Sequence, residues 1–167
     1  MQHPLAVELG CDPDFNAWDH GAANEPPDMF QPLRTAGGHL HIGWNVDERE
    51  HQIKAMALVK QLDCFLGLWS LRLDTNGALR RSLYGKAGAF RLKPYGVEYR
   101  VLSNFWMFHQ PLTRAIGERA IRAVEAYDAG HDLVKVFGNP VREVIDAGDV
   151  DSRLIDAVDD YIKNKGL

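Results

Sequence analysis

The stretch RRSLYGKAGAFRLKPYGVEYRVLSNFW, residues 80 to 106, restricts the fold of this chain more than any other. It sets Arg80, Arg81, Lys86, Arg91, Lys93 and Arg100 around one carboxylate, Glu98, with a Pro-Tyr-Gly turn between the charges. Residues two apart in a strand share a face. From 89 to 93, Arg91 and Lys93 therefore lie on one side and Phe90 and Leu92 on the other. From 97 to 102, Glu98 groups with Arg100, opposite Val97, Tyr99 and Val101. Both segments read as half-buried strands with a charged face, and cations this dense face an anion. Whether the two charged faces coincide depends on the turn. A two-residue loop at Tyr95-Gly96 pairs Lys93 with Glu98 and Arg91 with Arg100, whereas a three-residue loop starting at Pro94 shifts the register and separates them. The sequence leaves both open, and the bland alternative is a solvated hairpin laced with salt bridges.

Upstream, RTAGGHLHIGW (34 to 44) puts His39 and His41 on one strand face and Leu40, Ile42 and Trp44 on the other. Gly37-Gly38 allows a sharp turn or a close backbone approach. Two imidazoles on one wall suit a site, although they do not by themselves make a site for a hard ion, which is mostly oxygen. In LAVELGCDPDFNAW (5 to 18) the Asp12-Pro13-Asp14 run reads as turn chemistry for Asp12, with Asp14 more open. Residues 19 to 33 read as a long irregular loop.

Residues 47 to 69 read as a helix opened by a capping-box pair, Asp47 and Glu50, with Ile53, Met56, Val59, Leu62, Phe65, Leu66 and Trp69 as a core stripe ended by Gly67 and the Asp74-Thr75-Asn76-Gly77 turn. A second helix is expected from Ser103-Asn104 to about Gly130. Its buried row is Leu112, Ile116, Ala120, Val124 and Tyr127, with Arg114, Arg119, Arg122 and Glu125 solvated and Pro111 kinking it or marking its first turn. Residues 131 to 167 read as a helical tail: Asn139-Pro140 opens a short helix, Gly148 ends it, and a last helix starts near Asp151. The expected division is an α+β domain over 1–130 and this tail, without chemistry of its own.

Of the 167 residues, 46% are hydrophobic, enough for a real core, and the formal charge of -4 gives no global field for nucleic acid. Two distant cysteines, Cys11 and Cys64, suggest neither a disulfide framework nor a zinc ribbon, which fits a cytoplasmic setting. No apolar run reaches the ~18 residues that span a bilayer, so no membrane role is expected.

GCDPDFNAW, GGHLHIGW and the 80 to 106 stretch, in this order, resemble the phage-encoded carboxylate-amine ligases (type 2) of the glutamine-synthetase-like superfamily, over roughly residues 8 to 110. The resemblance implies Mg²⁺ and ATP as cofactors, with a carboxylate phosphorylated and the acyl phosphate attacked by an amine. It implies His39 and Glu98 as metal ligands, His41 as an ATP or phosphate contact, Arg100 as a phosphate or substrate contact, and Arg91 and Arg81 as neutralising the nucleotide phosphates. Lys86 and Lys93 are undecided, and Lys86 lacks the P-loop pattern. Relatives carry acidic metal-binding strands upstream of this portion, so a split or shortened form is expected, with Glu8, Asp12 or Asp14 as weak substitutes.

The fold expected is α+β: a mainly antiparallel sheet from 8 to 18, 36 to 44, 87 to 93 and 97 to 102, covered by two long helices, with the C-terminal tail. An exposed sheet edge is expected to invite a homo-oligomer or a partner chain, beside small-molecule carboxylate and amine substrates. The rival is a non-catalytic protein-binding module on the same scaffold, for example a phage inhibitor of a host defence complex. For that role the tail aspartates would mimic phosphate, against the simpler reading of a solvated helix face.

Overall fold

The structure, a computed structural model, describes residues 13–25, 36–74 and 77–167. Residues 8–12 of the first expected strand, among them Glu8, Cys11 and Asp12, residues 26–35 and the Thr75-Asn76 pair lie outside the described residues.

The two alternating segments form the centre of the sheet. They are β4 (Ala89–Lys93) and β5 (Gly96–Tyr99), and Arg91 faces Glu98 with Lys93 opposite Gly96. The loop is thus the two residues Pro94-Tyr95, a register that neither sequence alternative contained. A side chain on Gly96 would collide with the backbone of Ile42, so the glycine is a strand residue packed against its neighbour rather than part of the loop. The charged faces of the two strands coincide.

Around this pair lie β3 (Leu40–Gly43) against β5, and β1 (Phe15–Asn16) against β4, with β2 (Ala22–Ala23) outside β1. All pairings are antiparallel and the order is β2-β1-β4-β5-β3. The expected irregular loop therefore contributes a strand. Asn16 closes the turn between β1 and β2, its backbone carbonyl accepting from Gly21 and its side chain from the Trp18 N–H.

The opposite sheet face is covered by helices, and Phe90, Val97 and Tyr99 are buried there. Helix α1 (His51–Leu62) packs on β4 and β5 and against α4 (Gln110–Asp128). Asp47 accepts from the Arg49 N–H and closes a turn ahead of α1, so the expected capping box is absent. Ile53, expected in the stripe, is 66% exposed because it lies on the outer side. Gly67 does not end the element. A π-helical segment, Asp63–Gly67, continues into α2 (Leu68–Ser70), and the glycine leaves room for Ile145 and the Tyr99 hydroxyl. Helix α4 starts later than expected, capped by the His109 side chain with Pro111 in its first turn.

Helix α3 (Gly77–Leu83) was not foreseen; it takes up Arg80 and Arg81 and buries both. Beyond α4 come α5 (Leu133–Phe137), α6 (Pro140–Ala147) and α7 (Arg153–Lys165), whose Leu133, Val141, Ile145, Ile155, Val158 and Ile162 join the same core. Arg119, expected in solvent, donates through Nε to the Phe65 carbonyl at 2.6 Å and through Nη2 to Asp159 at 2.5 Å while lying over Trp69. Among the described residues no helix is long and apolar enough to cross a membrane.

Candidate functional site

Register decides which side chains share the charged face. Opposed residues in an antiparallel pair point the same way, so the pairings His41 to Glu98 and Glu98 to Arg91 make one row across β3, β5 and β4. Asp14, just before β1, extends the row. Its Oδ2 accepts from Arg100 Nε at 3.1 Å and its Oδ1 from the Asn24 amide at 2.9 Å.

Glu98 is the hub. Its Oε1 lies 2.5 Å from Arg100 Nη1 and 2.8 Å from His39 Nδ1, and its Oε2 lies 3.0 Å from Lys93 Nζ. Burial pushes this carboxyl upward, but the hydrogen bonds from Lys93 and Arg100, with the charge of Arg100, outweigh it and hold the group at about 2. Glu98 is therefore ionised at neutral pH. His39 moves down to about 4, first because it is buried and then because Arg100 is beside it. The neutral imidazole makes a hydrogen bond to Glu98, not an ion pair. Nδ1 lies 2.8 Å from the Glu98 oxygen and 3.2 Å from Arg100 Nη1, and the shorter contact to an ionised acceptor favours the proton on Nδ1 and the lone pair on Nε2, next to Gly37. A Cβ at Gly37 would strike the imidazole ring, which explains why this position is glycine.

At the rim, His41 Nδ1 and the Tyr95 hydroxyl are 2.6 Å apart, and Arg91 Nε donates to the Pro13 carbonyl at 3.3 Å. His39, Glu98 and Arg100 thus touch one another, and Arg91 and His41 flank them in the same row. Arg81 has a different setting: it is buried, with Nη1 3.7 Å from Asp74 Oδ2, beside Gly148 at the end of α6. Arg80 is also structural, donating to the carbonyls of Val101 and Arg100 at the end of β5.

Two participants were undecided in the sequence, and one buried carboxylate on the helical side of the sheet was missed. Lys93 shares the alternation of Arg91, and only the turn geometry decided that it reaches Glu98. Asp14 was legible as an exception to turn chemistry but had no signal for its partner. Asp63 gave no signal. It is fully buried, and it accepts from Trp18 Nε1 (2.7 Å), the Gly88 N–H (2.7 Å) and the Tyr99 hydroxyl (2.8 Å).

The donor set does not suit Mg²⁺. Such an ion needs an octahedron of oxygens, whereas both Glu98 oxygens already carry a cation and the adjoining ligand is an imidazole. Among the described residues no group of three or more His, Cys, Asp or Glu side chains is arranged to hold a metal ion.

The site is a cluster of fixed cations braced by two carboxylates on the face of the antiparallel sheet opposite α1, a chemistry suited to holding and orienting an anion at its Lys93 side. The family model described as phage phiEco32-like COOH.NH2 ligase-type 2 matches residues 23–138, and the chain belongs to that family. No curated protein and no solved structure matches the chain.

Proposed function

We propose that the protein is a carboxylate-amine ligase that activates a small-molecule carboxylate with ATP at the charged sheet face. The observation that carries the reading is the common face of Asp14, Arg91, Glu98 and His41, with Lys93, Arg100 and His39 bonded to the same hub; family membership supports it. In this chemistry a substrate carboxylate oxygen attacks the γ-phosphorus and ADP leaves with the bridging electron pair. The amine nitrogen then attacks the acyl carbon, phosphate departs, and the amine loses a proton to give the amide.

The contribution of the chain is positional and electrostatic, as phosphoryl transfer requires. Lys93 and Arg91 hold phosphoryl oxygens. Arg100, clamped between Asp14 and Glu98, fixes the potential of the face. His41, with Tyr95, borders the nucleotide. Arg81 is left out of this role because Asp74 engages it. His39 and Glu98 are left out of metal binding, because both Glu98 oxygens already face cations.

The test is ADP formation from ATP that requires both a carboxylate and an amine, with the amide product identified by mass spectrometry. Arg91→Ala is expected to lower the rate by about tenfold or more, the weight of one charge-assisted contact. ADP release that is indifferent to both co-substrates and to Arg91 would contradict the reading.

A further inference from the structure

The Glu98 carboxylate is where the resemblance expects a divalent ion, and it already has two unit charges on it. The Lys93 ammonium is 3.0 Å from Oε2 and the Arg100 guanidinium 2.5 Å from Oε1. Arg100 is 6% exposed and is held a second time by Asp14, so it is not free to withdraw. A divalent ion would reach Glu98 only by displacing one of these cations or by lying beside them against like-charge repulsion. With His39 donating to Oε1, it would also find few vacant lone pairs on that oxygen.

We propose that Lys93 and Arg100 take the place of a protein-held divalent ion, so that the charged face binds the polyphosphate group of a nucleotide at its Lys93 side with no metal on Glu98. The inference rests on the ligase reading for the choice of anion. Lys93 is suited to the contact because its side chain is 30% exposed and an ammonium has three N–H donors, of which Glu98 uses one. Glu98 is then a positioning residue: it anchors the ammonium over the face, as a second carboxylate, Asp14, anchors the guanidinium. The two anchored cations supply the charge of one divalent ion at a fixed place, with no metal site to assemble.

The experiment is calorimetric titration of the full chain with ATP and, separately, with inorganic triphosphate, each in EDTA and in Mg²⁺. Lys93→Ala and Lys93→Arg are run in parallel, and circular dichroism checks their folding. Both ligands are expected to bind in EDTA with an affinity within about threefold of that in Mg²⁺, less than the tenfold that 1.4 kcal/mol represents. Lys93→Ala is expected to lose about tenfold or more in EDTA while Lys93→Arg, which keeps the charge, retains most of the affinity. Binding only in Mg²⁺, or a Lys93→Ala variant that binds like the parent, overturns the inference and leaves the ligase reading standing. Binding of ATP without inorganic triphosphate overturns the assignment to the polyphosphate. Binding of neither ligand in either condition overturns both the inference and the ligase reading.

Discussion

Asp63 carries the clearest consequence at the scale of single residues. Burial raises its carboxyl from 3.8 to about 7 despite three donors, from Trp18, Tyr99 and Gly88. Below pH 3.8 the group is protonated in folded and unfolded chains alike. Between 3.8 and about 7 only the unfolded chain gives up the proton, so the contribution of Asp63 to stability falls as pH rises through that window and is level above it. Asp63→Asn keeps an acceptor for Trp18 and Gly88 and a donor for the Tyr99 oxygen, so melting temperatures measured from pH 4 to 8 should lose this slope. An unchanged slope would place the titration elsewhere. Asp63→Leu strands all three donors and should cost about 3 kcal/mol or more in denaturant unfolding, at roughly 1–3 kcal/mol for each unsatisfied group. Gly37 makes the complementary case for the site. Gly37→Ala should displace the His39 ring and weaken ATP binding by about tenfold with little change in melting temperature, since the position is only half-buried. Equal affinities would mean that the placement of His39 does not matter to the ligand.

Elements were legible where periodicity alone determined them and obscure where a turn or a buried polar partner did. Strands β4 and β5, the His39-His41 strand and the course of α1 followed from alternation and from the 3.6-residue period. The hairpin register did not, because Pro94, Tyr95 and Gly96 can each belong to a turn, and packing of Gly96 against Ile42 decided among them. Arg80 and Arg81 looked like part of an anion-binding cluster because sequence records charge and not burial. Inside α3 the first finds backbone carbonyls and the second finds Asp74. Arg119 was misread for the same reason. Phe65 lies in the π-helical segment, and the guanidinium donates to its carbonyl while reaching Asp159 on α7. Arg119→Ala should therefore destabilise the protein by about 1–3 kcal/mol in chemical denaturation, with Arg119→Lys restoring little because one ammonium cannot span both acceptors. Full stability in the alanine variant would show that the link between the π turn and α7 contributes nothing.

For the whole molecule, one sheet separates two environments. One face meets α1 and α4 and holds the aromatic core; the other carries the cations and their counter-carboxylates, with Glu98 and Arg100 buried and Lys93 partly exposed beside them. The tail helices α5 to α7 complete the core on the helical side, and their aspartates are largely engaged: Asp146 with the Ala87 N–H, Asp156 with Arg72, Asp159 with Arg119. The sequence motifs were sufficient to find the face, whereas the closing of Glu98 by Lys93 and Arg100 depended on three-dimensional register. The central claim, that this face is where the ligand binds, is tested most directly by following backbone amide chemical shifts as ATP is added. The account predicts that the largest changes fall on β3, β4 and β5 around His41, Arg91, Lys93 and Glu98. Changes confined to α4 through α7, or none at millimolar ATP, would contradict it.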